Sequence, residues 1–98
     1  MWVGSLRFDL LLGDIHSLKE KRSVVRPIVS ELHRTFGVSA AEAGHLDLHR
    51  RALIGVAVVG ADAAHCVGVL ESCERLVASR PEVDVLSAHR HLHTDEDE

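Results

Sequence analysis

The chain has 98 residues, 46% of them apolar and 27% charged. That suits one domain with a single core and excludes both a two-domain protein and an intrinsically disordered one. The formal charge of −4 comes from Asp95, Glu96, Asp97 and Glu98; without them 11 basic residues stand against 11 acidic ones, so any basic face must be local.

Residues 2–12 alternate. Trp2, Gly4, Leu6, Phe8, Leu10 and Leu12 take one face, and Val3, Ser5, Arg7, Asp9 and Leu11 the other, which predicts a strand with one buried face. Arg7 and Asp9 interrupt the apolar run, so it does not read as a signal peptide. No stretch approaches the length of a membrane span, and a cytoplasmic location is expected.

Gly13-Asp14 closes the strand, and Ser17 followed by Glu20 is a capping box. In such a box the serine oxygen accepts from the N–H three residues on, and the glutamate reaches back to the cap's own N–H. Leu18, Val25, Val29, Leu32 and Phe36 then share a stripe at helical spacing, with Ile28 at its edge and Lys21 flanking it. Gly37 stands where a left-handed residue ends a helix. Pro27 removes one backbone donor and points away from the stripe, so a bend is expected there.

Val38 to His45 predicts a strand of small residues, followed by a turn through Arg50 and Arg51. Ala52 to Ala61 is apolar on both faces, as in a central strand. Asp62 caps a second helix over 63–79, with Cys66, Val69, Leu70, Cys73, Leu76 and Val77 inward; Arg80-Pro81 ends it. Cys66 and Cys73 lie about 10 Å apart along that helix, too far for a disulfide, so they are expected as small core residues. A last strand runs from Glu82 to about Leu92.

The order β-α-β-β-α-β, with right-handed crossovers, predicts a ferredoxin-like α+β sandwich. Its four-stranded antiparallel sheet has the order 4-1-3-2, with both helices on one face. Residues 1–92 form this single domain, and 93–98 are expected to be a disordered acidic tail. The other sheet face is left open. Its apolar positions on the third strand, together with Val3 and Leu11, suggest a partner surface, and a homodimer is expected.

The richest candidate surface is the first helix, where Lys19, Arg22, Arg26 and His33 line up beside the apolar stripe. Solvated flanks of this kind often cover apolar surface with their aliphatic stems; the functional reading is a ridge that tracks RNA phosphates. Arg50 and Arg51 in the turn are further candidates. His89, His91 and His93 would aim three imidazoles to one side of a strand, but with no other firm ligand they are not taken as a metal site. Aromatic residues are limited to Trp2, Phe8 and Phe36, too few for a base-stacking platform. No nucleophile elbow, phosphate loop or dinucleotide fingerprint is present. Gly13-Asp14-Ile15-His16 puts an aspartate where a phosphate cradle needs donors. No catalytic residue and no cofactor is assigned, and the chain is expected not to be an enzyme.

The pattern V-G-x-L-x-F-D-L-L-L at the start, H-S-L-K-E-K-R at 16–22, F-G-V-S-A-A-E at 36–42 and R-A-L-I-G-V-A-V-V at 51–59 resembles the YlxP-like family. This is a family of small bacterial proteins classed as a domain of unknown function, and the resemblance extends to about Leu92. It implies the ferredoxin-like sandwich and a link to translation, because such genes often lie beside genes for ribosome maturation and initiation factors. Lys19, Lys21 and Arg22 are the positions that match the family's basic helix start; Pro27 and the acidic tail depart from its pattern. The expected function is an accessory factor in ribosome assembly or translation. It would contact ribosomal RNA or a ribosomal subunit through Lys19, Lys21, Arg22, Arg26, Arg50 and Arg51. The alternative is a dimeric protein-interaction or small-ligand-binding module that uses the open sheet face. Neither a membrane nor DNA is expected as a partner.

Overall fold

A computed structural model describes residues 1–95. In chain order the elements are β1 (Trp2–Leu12), α1 (Leu18–Phe36), β2 (Ser39–Gly44), β3 (Arg51–Gly60), α2 (Ala63–Ala78) and β4 (Val83–Thr94). The sheet has the order β2-β3-β1-β4, with every neighbouring pair antiparallel. This is the expected ferredoxin-like α+β sandwich, with β1 and β3 in the middle. No helix among the described residues is long and apolar enough to cross a membrane.

The alternation of β1 sets the two faces. Leu6, Phe8, Leu10 and Leu12 are buried under the helices, and their β3 partners Ala52, Ile54 and Val56 continue that layer. Arg51, Leu53, Gly55, Ala57 and Val59 therefore project from the open side, which settles which phase of this doubly apolar strand faces out.

Both helices start as their caps dictate. Ser17 Oγ accepts from Glu20 N at 3.1 Å, and Asp62 Oδ1 accepts from His65 N at 2.8 Å. The Glu20 carboxylate reaches one residue further back than expected, accepting from His16 N rather than from the cap itself. Gly37 ends α1 at φ 65°, a left-handed conformation that costs glycine no Cβ clash, and its N–H donates to His33 O.

The two helices bury matching positions. In α1 these are Lys21, Val25, Ile28 and Leu32, and in α2 they are Cys66, Leu70, Cys73 and Val77. The α1 contact face is thus turned from the expected stripe. Ile28 moves from its edge to its centre, and Leu18, Val29 and Phe36 are half-buried at the rim. Burial pushes the Cys73 thiol up to about 11, so it is an inert part of the core.

β4 runs past the expected end at Leu92. His93 and Thr94 still pair with Val3 and Trp2, and the Met1 ammonium donates to Asp95 at 3.1 Å. The first two residues of the expected tail are therefore held to β1, because the antiparallel ladder lasts as long as β1 supplies partners, and Asp95 is held by the Met1 ammonium. Residues 96–98, the rest of that tail, lie outside the described residues.

Candidate functional site

The basic residues near α1 fall into two groups. Lys19, Arg22 and Arg26 are exposed on one flank, where they line a shallow groove with Ser23 and Pro27. Among the described residues none of the three has an acidic partner within ion-pair distance. Their spacing puts them on successive turns along about 10 Å of helix. His33 does not extend this row, because its Nδ1 lies 2.8 Å from Val38 O and is used to fasten the end of α1 to the start of β2.

The other expected contacts are occupied. Lys21 is 1% exposed: its position is four residues before Val25 and seven before Ile28, so the helix turns it inward. Its Nζ lies 2.6 Å from Glu42 Oε2 and donates to His45 O at 2.7 Å. The contact with Glu42 is one of opposite charge at close range, since no donor meets Oε2 in directed hydrogen-bond geometry. Lys21 therefore leaves the expected RNA-facing set. Arg50 Nε donates to Leu12 O and Gly13 O, which ties the turn before β3 to the end of β1. Arg51 grips Asp9 through two of its nitrogens: Nη2 donates to both carboxylate oxygens at 2.7 and 2.6 Å, and Nε donates to Oδ1 at 3.1 Å.

His45 joins these two ion pairs. Its φ of 56° makes it the one described non-glycine residue with a left-handed backbone, and it follows the irregularity where β2 slips against β3 at Gly44. The twist turns its carbonyl toward the helix side, where it accepts from both Lys21 Nζ and Leu48 N. Its ring passes to the open side, with Nε2 3.5 Å from Asp9 Oδ1. Hydrogen bonds from Arg51 hold the Asp9 carboxyl below its ordinary range against the opposing effect of burial, and the charges of Arg51 and His45 add to the depression.

The polar cluster is thus a clamp at the β2 edge, with its charges directed at one another. The sequence held a signal for it: Lys21 shares the phase of Val25, Ile28 and Leu32, and Glu42 sits on a strand of otherwise small residues. His89 and His91 lie on the open face beside Arg7 and Ser5. No group of three or more metal-ligating side chains converges among the described residues.

The solved structure of a SnoaB variant, a cofactor-independent oxygenase from Streptomyces nogalater, covers 99% of this chain and 95% of its own, with a TM-score of 0.46 and 15% identity. The expectation that the chain is not an enzyme is withdrawn on this finding. It rested on missing nucleophile, phosphate-loop and dinucleotide motifs, and a missing motif does not by itself exclude catalysis. At that identity and TM-score the likeness carries no activity over to this chain. "Uncharacterized protein YlxP" of Bacillus subtilis (strain 168) is 29% identical over 82 residues, which are 84% of this chain and 89% of that protein. The family model for proteins of unknown function called DUF503 matches residues 3–90. The chain belongs to the DUF503 family.

Proposed function

We propose that the chain is an accessory factor in ribosome assembly or translation that contacts ribosomal RNA through Lys19, Arg22 and Arg26. The observation that carries this reading is the row of three exposed cations on one helix flank without acidic partners among the described residues, while Lys21, Arg50 and Arg51 are all engaged. A row of unmatched cations at helical spacing suits a phosphate backbone, which binds by displacing counterions. Neither DNA nor a membrane is part of the reading, which goes with a cytoplasmic location.

The test is co-sedimentation with purified small ribosomal subunits, comparing the natural chain with Lys19→Glu/Arg22→Glu across a salt series. Three phosphate contacts predict a loss of affinity of about 20- to 40-fold between about 50 and 200 mM salt, and no binding by the variant. Binding that ignores salt, or that survives in the variant, would refute the reading.

A second reading is a homodimer through the open sheet face. Val59 is 64% exposed there and pairs with Val3 on β1, so an apolar end of the sheet faces solvent. Sedimentation equilibrium of the natural chain and of Val59→Glu tests it, with a dimer in the first and a monomer in the second as the expected result.

A further inference from the structure

The middle of the open sheet face has a different character from the Val3–Val59 end. Across the sheet, Arg7 on β1 stands opposite Gly55 on β3 and opposite His89 on β4, and Ser5 stands opposite Ala57 and His91. Large and small residues are therefore sorted. The β2–β3 side is bare backbone and methyl groups, at Ala43, Gly55 and Ala57; the β1–β4 side carries a guanidinium and imidazoles. The result is an open trough of about 270 Å³ lined by Ser5, Arg7, Ala43, Gly55, His89 and His91. Its floor is flat because neighbouring strands there lack side chains that would fill it.

The charge in the trough is unbalanced. Asp9, two residues along the same face from Arg7, is taken by Arg51 and His45. Among the described residues no carboxylate lies within ion-pair distance of Arg7. The two arginines of this face thus have opposite circumstances: Arg51 is neutralised and Arg7 is not. A guanidinium presents a planar fork of donors that matches a carboxylate. The flat floor beside it admits a planar body, and the imidazoles at the rim can stack on that body or donate to it.

We infer that the Arg7 trough is a binding site for a small planar carboxylate. The carboxylate sits on the Arg7 guanidinium, and the flat body of the ligand lies over Gly55 and Ala43 with His89 and His91 at its side. The site is independent of the basic stripe on α1, which lies across the sheet, so either can fail without the other. A second copy packed over this face would shut the trough, so ligand and self-association would compete.

The experiment is a titration of the full chain with benzoate, followed by amide chemical shifts, with inorganic phosphate as the second arm. Benzoate is expected to move the amides of residues 5–7, 55–57 and 89–91 together, and phosphate to move them at least about tenfold less at equal concentration. Two variants give the same chain without the site. Arg7→Gln removes the fork. Gly55→Leu fills the floor, where an added Cβ would meet Ala43 at 3.5 Å, an ordinary contact that leaves the strand in place. Loss of the benzoate response in both, with the remaining spectrum unchanged, supports the site. No response in the natural chain, an equal response to phosphate, or a response that survives in Gly55→Leu would each overturn it.

Discussion

The two helices begin alike and then diverge at their fourth residue. Ser17 caps α1 and Asp62 caps α2, each four residues before the first buried position. In α1 that position holds Lys21, and in α2 it holds Cys66. From there both helices bury residues four, seven and eleven positions further on. The difference lies in what the first inward side chain meets. Cys66 faces one end of the two central strands at close range, beside Trp2, Gly4 and Gly60. A Cβ on Gly60 would lie 2.9 Å from its Sγ, and one on Gly4 would lie 3.3 Å from its Cβ. Only a short side chain fits. Lys21 instead points along the sheet toward its β2 edge, where Glu42 and the His45 carbonyl receive its ammonium group. One backbone geometry thus supports a close-packed contact at the end of the central strands and an ionic clamp at the β2 edge.

The clamp should show the largest single-site effect. Lys21→Ala strands a carboxylate that is mostly out of solvent and empties a core position, so urea unfolding should register a loss of about 3–5 kcal/mol. The paired change Lys21→Met/Glu42→Leu keeps volume and removes both charges, and should restore most of that loss. If the double variant were no more stable than Lys21→Ala, charge pairing would not be what α1 gains from this residue. The thiol contact should come next. Gly60→Ala places a methyl against Cys66 and should cost about 1–3 kcal/mol. Adding Cys66→Ala should relieve part of that cost, and the non-additivity measures the close approach itself. The caps should be nearly equal despite the divergence after them, with Ser17→Ala and Asp62→Ala each costing about 1 kcal/mol.

The same comparison explains what could be read from the chain. The element order, the sheet order and both caps follow from local pattern: alternation in 2–12, S-x-x-E before an apolar stripe, and glycine or proline after it. The inner face of α2 was legible because all its members are apolar. The inner face of α1 was legible only in part, because one of its members is a lysine. A rule that places charge outside sends Lys21 to the surface, and the Glu42 that changes the outcome lies 21 residues away on another element. The end of β4 was misplaced for a similar reason. His93 and Thr94 look like the start of a polar tail until Val3 and Trp2 are seen opposite them. Arg51 was available to the sequence as a cation, but its commitment to Asp9 is a matter of sheet register.

The smallest effect should be the acid response of the β2 edge. Asp9 is held below its ordinary carboxyl range chiefly by its hydrogen bonds to Arg51, so folding favours its ionised form. Its contribution is complete above the unfolded carboxyl value of 3.8. It fades as the pH falls below that value and through the lower value of the folded protein. Because Asp9 also receives the His45 ring, and the His45 carbonyl holds Lys21, acid should loosen the rim before it loosens the centre. Amide exchange followed down through this range should show protection falling first around residues 42–53, while α2 around Cys66 and Leu70 stays protected. Asp9→Asn should flatten the acid limb of stability and expose the same rim amides already at neutral pH. Simultaneous loss of protection in both halves would show instead that the clamp and the thiol contact belong to a single cooperative unit, with the charged rim opening only when the whole sheet does.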